Sequence, residues 1–371
     1  MQAFLDGAVP VPNVVARIDL GDVDSVRKEW LYWWPPGISA LLTALMVAGC
    51  SAAMAFRILG LLASIAGVLG WVRWVAKFEL SAPWRVGLAM ALPWSTWAWG
   101  GLIEFSSETF VFALAPWALL LGSALGERFQ ADREGGLAKP GLLLGAVLGA
   151  GYALKYAFAL VAAGVLVALA VGALAAKSRK QAIRAWLAVA CVAAIPVLAI
   201  SAVNYRLTRT FSLLDTGPKA GLSIEKLASL AGNLPFAIFD SGPAWGALAG
   251  AEQRVPADRA KPSHLVMALF GIPGTIAAAL VLGKARVSRA PRLLLLALSG
   301  SYLIGFLWIW RGASVSTEVR HFLPLGFALL PASINGLQRL AATGKRVRAV
   351  VTGSVLAMYA LPGFPGGAVL F

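Results

Sequence analysis

PGLLLGAVLGAGYALKYAFALVAAGVLVALAVGALAAKSRK, residues 140–180, holds a single charge, Lys155, between Pro140 and Lys177. About 18 consecutive apolar residues already suffice to cross a bilayer as a helix. The stretch therefore reads as two adjoining membrane segments, 140–154 and 156–176, with a lysine at their junction and a basic cluster at the end. Segment 140–154 is too short to stand upright across hydrocarbon, so it reads as half of a broken helix or as a tilted one. Gly141, Gly145 and Gly149 recur every fourth residue, the spacing that lets one helix backbone lie close against another. No strand precedes them, so a phosphate-cradling loop is not indicated.

The rest of the chain repeats this pattern. Of 371 residues, 59% are hydrophobic and 13% charged, with mean hydropathy +0.77; soluble domains carry about 25% charged residues. Apolar runs predict further helices at 37–56, 58–75, 86–103, 108–126, 183–203, 264–283, 291–310, 320–339 and 346–361. The expected fold is all-α, a polytopic membrane helix bundle of about nine to eleven membrane helices. Residues 1–36 form an N-terminal segment, 37–203 and 264–361 two sets of membrane helices, 204–263 a long outer loop and 362–371 a tail. "LASLAGNLPFAIF" within that loop favours a short interfacial helix. Residues 1–30 lack the basic-then-apolar order of a signal peptide.

A net charge of +15 raises the question of nucleic acid, but its distribution answers otherwise. Basic residues cluster at Arg73/Lys77/Arg85, Arg128/Arg133/Lys139, Lys177/Arg179/Lys180/Arg184, Lys284/Arg286/Arg289/Arg292 and Arg339/Lys345/Arg346/Arg348. Each cluster follows every second helix, so all can share the cytoplasmic side, as the positive-inside rule requires. The opposite side then receives Glu104, Glu108, Lys155, the long loop and "TEVRHFLPLGFALLPA", residues 317–332. Segment 37–56 either crosses the membrane, leaving 1–36 cytoplasmic, or lies along the outer surface, leaving 1–36 outside.

Charges near a bilayer need a reason, since each costs about 2.5–3.5 kcal/mol at the centre on insertion scales. Glu104 and Glu108 stand four apart and would repel on one helix; a cation or a divalent metal between them, or simple solvation, relieves this. Glu108 at a helix start also meets the positive end of the macrodipole. Lys155, flanked by Tyr152 and Tyr156, either snorkels to headgroups or binds a phosphate. Arg320 can grip phosphate through parallel hydrogen bonds, His321 can donate one, and Glu318 can pair with either; an interfacial ion pair is the plainer reading. Asp19, Asp22 and Asp24 are candidate general bases or a solvated acidic turn. Cys50 and Cys191 lie in apolar runs and suggest no disulfide, and His264 and His321 are too far apart in sequence for a zinc-type cluster. No P-loop, nucleophile elbow or zincin motif occurs.

Several stretches together resemble a known family. "EWLYWWPPGISALLTALMVAGCSAAMAFRILGLLASIAGVLGWVRWVAK", "FSSETFVFALAPWALL", the glycine helix ending in Lys155, and the Glu318-x-Arg320-His321 start with Pro324 are similar, in order, to segments of the GT-C superfamily of integral-membrane glycosyltransferases. The likeness covers most of residues 29–340. It implies a GT-C-like bundle in the bacterial inner membrane that takes a sugar from a polyprenyl-phosphate carrier on the non-cytoplasmic face. It also implies that Lys155, Arg320 and His321 bind the carrier phosphate, with Tyr156, Glu104 and Glu318 in support. A carboxylate (Asp19, Asp22, Asp24 or Glu108) would be the base. By this likeness 1–36 is the end of a first outer loop, while the family's first membrane helix and the acid after it have no counterpart here. A transporter for a lipid-linked glycan and a scaffold for envelope-glycan assembly are the alternatives. No nucleic-acid partner is expected.

Overall fold

The computed structural model describes residues 14–19, 22–30, 35–94, 107–131, 137–211, 281–305, 323–342 and 344. Two strands, β1 (Val14–Asp19) and β2 (Asp22–Trp30), pair antiparallel. Nine helices follow in the described residues: α1 (Gly37–Val47), α2 (Ala52–Val75), α3 (Ala82–Ala91), α4 (Ser107–Gln130), α5 (Ala138–Leu154), α6 (Phe158–Leu174), α7 (Arg179–Thr208), α8 (Arg289–Ile304) and α9 (Leu323–Ala341). The body is thus all-helical, with a short hairpin ahead of it that the apolar pattern did not foretell. Helices α2, α4 and α7 are long and apolar enough to cross a membrane; α1, α5 and α6 are apolar but shorter. The expected segment 346–361 and most of 264–283 lie outside the described residues.

Three expectations change. The run expected as a helix over 86–103 instead gives α3 over Ala82–Ala91, and the chain tightens into a 3-10 turn at Leu92–Trp94, around Pro93; 95–103 lie outside the described residues. The run 37–56 is not one helix: α1 stops at Val47, Gly49 turns the chain at φ +96°, and the Ser51 hydroxyl accepts the Met54 N–H at 3.2 Å to start α2. Gly49 takes the left-handed backbone that other residues avoid, and serine is a favoured N-cap, so the break lies in these residues rather than at Arg57. At eleven residues, α1 spans about 16 Å, half of what a bilayer crossing needs. Nor do α5 and α6 form a broken helix. Phe158 folds its ring back over Gly151, so the two are an antiparallel hairpin.

Helix α4 is the axis of the body: 67% of its spanning window is buried, against 28% for α2 and 17% for α7. The glycine spacing does what it suggested. Gly141, Gly145 and Gly149 let α5 approach α7, with Gly145 against the Val189 carbonyl and Gly149 against Pro196. Indole N–H groups, costly if unpaired in an apolar interior, cross between helices instead. Trp71 donates to the Phe112 carbonyl, Trp74 to Ala328 and Trp117 to Ala66, each at 3.0 Å. Trp71, Phe112 and Phe327 also pack ring against ring, with Trp71 5.3 Å from Phe327.

The bond from Trp71 has a local cause. Pro116 lies inside α4 and has no N–H, so the carbonyl four residues earlier, that of Phe112, loses its helical donor. Trp71, 1% exposed, supplies the missing proton from α2. Trp71→Phe should therefore destabilise by about 1–3 kcal/mol, the cost of an orphaned buried carbonyl. Pro116→Ala, which restores the N–H, should recover part of that loss in the double variant. Thermal unfolding in detergent measures both.

One end of the body gathers the described basic clusters. Lys77 pairs with Glu127 at 3.1 Å, Gln338 donates to Ser81 at 2.8 Å, and Asn335 takes the Arg286 N–H at 2.8 Å. Gly126 abuts Ala290, and Gly172 abuts Phe129. The ends of α2, α4, α6 and α9 and the starts of α7 and α8 therefore lie together, as the alternation of basic loops requires.

Candidate functional site

At the opposite end, Lys155 Nζ meets Glu108 Oε1 at 2.9 Å, with 17% and 12% of the two side chains exposed. Each partner is placed by local structure. Glu108 sits in the first turn of α4, where free backbone N–H groups and the macrodipole favour a negative charge. Lys155 follows α5 in an extended conformation, φ −154° and ψ 121°, which ends the helix; Phe158 then donates back to its carbonyl at 2.9 Å to begin α6. The chain reverses here because Gly151 offers no Cβ where the Phe158 ring must lie. Ala63, Phe110 and Leu154 form a small apolar cluster beside the pair, with Ile38 and Leu59 against it.

Tyr156 extends the polar surface. Its ring lies 5.2 Å from that of Tyr152, and its hydroxyl accepts from Asn204 Nδ2 at 3.2 Å. Asn204, 1% exposed, also donates to the Phe211 carbonyl at 3.3 Å. Arg209 caps α7 in the left-handed region, φ 59°, and Phe211 folds back to stack on Tyr205 at 4.5 Å.

Helix direction adds a further feature. Phe112 lies near the start of α4, with its ring 5.5 Å from Phe327, which lies near the start of α9. Leu160, in the first turn of α6, meets Ser301 and Gly305 at the end of α8. Helices α4, α6 and α9 thus all begin at the end that holds Lys155, where α5, α7 and α8 finish. Positive and negative dipole ends therefore both lie there, and only the groups nearest a given helix start feel its positive end. Thr109, in the first turn of α4, is 1% exposed, and its hydroxyl has no hydrogen-bond partner among the described residues.

The expected residues fall out unequally. Glu108, Lys155 and Tyr156 come together. The cation that relieves Glu108 is a lysine, and among the described residues no cluster of three metal-ligating side chains occurs. Lys155 is held by a carboxylate. Asp19 and Asp22 are register partners flanking the β1–β2 turn, and Asp24 follows on β2; their side chains lie outside what is described. So do Glu104, Glu318, Arg320 and His321, the last two directly ahead of α9. Asn204 was missed; its only signal is a polar residue one position past the apolar run 183–203. No protein-family model matches the chain, and neither a curated protein nor a solved structure matches it.

Proposed function

We propose that the chain is a multi-pass membrane glycosyltransferase, GT-C-like in fold, which moves a sugar from a polyprenyl-phosphate donor to a lipid, glycan or protein acceptor. The observation that carries this reading is Lys155, held by Glu108 beside the start of α4 at the end opposite the basic clusters. A lysine next to the free N–H groups of a helix start is a seat that an anion can share. If the basic end is cytoplasmic, the site faces outward in a bacterial inner membrane. Arg320 and His321, which precede α9 in the chain, are assigned to complete the anion seat in this reading.

In the proposed step, the acceptor hydroxyl attacks the anomeric carbon while the bond to the carrier phosphate breaks. Lys155 and Arg320 stabilise the phosphate as it leaves. A carboxylate 2.9 Å from an ammonium is a poor proton acceptor. Glu108 is accordingly assigned to orienting Lys155, and the proton of the acceptor goes to one of Asp19, Asp22 and Asp24.

The test is sugar transfer in detergent from polyprenyl-phosphate-linked sugars. Wild-type protein should form product, and Lys155→Ala and Arg320→Ala should each lower the rate at least tenfold, a loss of about 1.4 kcal/mol or more of transition-state stabilisation. Unchanged turnover in both variants at equal expression contradicts the phosphate role. No product, with donor moved across sealed vesicles, replaces the enzyme with a transporter; neither activity leaves a scaffold.

A further inference from the structure

Beside the Glu108–Lys155 pair stands an apolar structure that the chemistry does not use. Gly37 packs on the Ala153 carbonyl, and Ile38 lies in the cluster of Leu154, Leu59 and Ala63. From there α1 runs to Val47, four residues short of Ala52, and α2 runs back to Ala63. The two segments are an antiparallel helical hairpin about 16 Å tall, rooted beside the ion pair. No residue of α1 is buried. Leu41, Val47, Met54 and Leu62 are 40, 73, 57 and 58% exposed. Between Gly37 and Val72 a single charge, Arg57, occurs.

We infer that this hairpin is seated in the lipid of the leaflet on the Lys155 side. A contiguous exposed apolar surface of this kind marks a membrane or a partner, and continuity selects the membrane. Leu61, Ile65 and Leu69, four apart on α2, are 47, 49 and 51% exposed. They carry the stripe without interruption from the hairpin along α2, the whole of which, Ala52–Val75, is long and apolar enough to cross a membrane. The same medium must bathe both. Arg57, on the exposed side of α2, has an aliphatic stem long enough to bring its guanidinium to headgroups. The seating itself does not depend on the reaction proposed above.

The test is a nitroxide attached to Val47→Cys, with Cys50 and Cys191 replaced by serine, in protein reconstituted into lipid vesicles. Collisions with oxygen and with a water-soluble nickel chelate are measured by power saturation. Arg206→Cys at the polar end of α7 is the aqueous reference, and Ile195→Cys, 63% exposed in mid-α7, is the lipid reference. The oxygen-to-nickel ratio at Val47→Cys should match that at Ile195→Cys and exceed that at Arg206→Cys severalfold. A ratio equal to the aqueous reference places the hairpin in water and overturns the inference. Low collision with both reagents means that protein, another chain or a second copy, covers it, and overturns it as well.

Discussion

Glu108→Ala should destabilise the protein by about 3 kcal/mol, near the lower end of the range for breaking a buried ion pair from one side. The reason is asymmetric. Both side chains are mostly buried, and the variant takes from Lys155 the carboxylate 2.9 Å away without removing the lysine charge. Lys155→Ala should cost a similar amount, because it takes the ammonium 2.9 Å away from a mostly buried carboxylate. Removing both partners should cost less than the sum of the single changes, with a coupling of about 1–3 kcal/mol in the double-mutant cycle. Unfolding midpoints in detergent supply all four corners. Additive losses would mean that the two groups do not interact across the 2.9 Å contact.

Gly164→Ala should be more damaging than its single methyl suggests. A Cβ there would lie 2.7 Å from the Leu298 Cα and 3.0 Å from its N, and a backbone cannot turn aside as a side chain can. Helices α6 and α8 would have to separate, so the cost should reach about 3 kcal/mol, the upper part of the range for overpacking. Gly172→Ala is the control on the same helix. Its Cβ would meet Phe129 at 3.7 Å, an ordinary contact, and alanine gains up to about 1 kcal/mol of helix propensity. One change should lower the midpoint sharply and the other should leave it unchanged or raise it. Equal effects would mean that α6 and α8 do not approach as closely as described.

What was legible in the sequence follows from range. The helices at 108–126, 183–203 and 320–339 announce themselves through long apolar runs, and the shared end of the basic clusters follows from simple alternation. The Gly141–Gly145–Gly149 stripe was readable because its spacing is local. Gly164 looks like any other glycine, since its partner Leu298 lies 134 positions away, 298 − 164. The turn at Gly49–Ser51 is hidden inside an apolar run, where hydropathy is blind to a positive φ and a serine cap. The β-hairpin escaped because helix-length runs were the signal being followed, and Val14–Asp19 is only six residues long.

The site divides in the same way. Glu108 and Lys155 were each visible as a charge beside apolar residues, and topology placed them on one side. That they bind each other depends on α5 returning antiparallel along α4, so that the end of one meets the start of the other, which no periodicity encodes. Asn204 shows the limit: one amide at the end of a long helix reads as ordinary polarity until Tyr156 and Phe211 are found against it.

Cysteine cross-linking of position 320 to position 155 tests the anion seat most directly. In protein with Cys50 and Cys191 replaced by serine, the pair Glu108→Cys with Lys155→Cys provides the reference for a known contact. A bifunctional maleimide of comparable reach should also join Arg320→Cys to Lys155→Cys in the membrane. Cross-linking of the reference pair without the second would separate Arg320 from Lys155 and contradict the account.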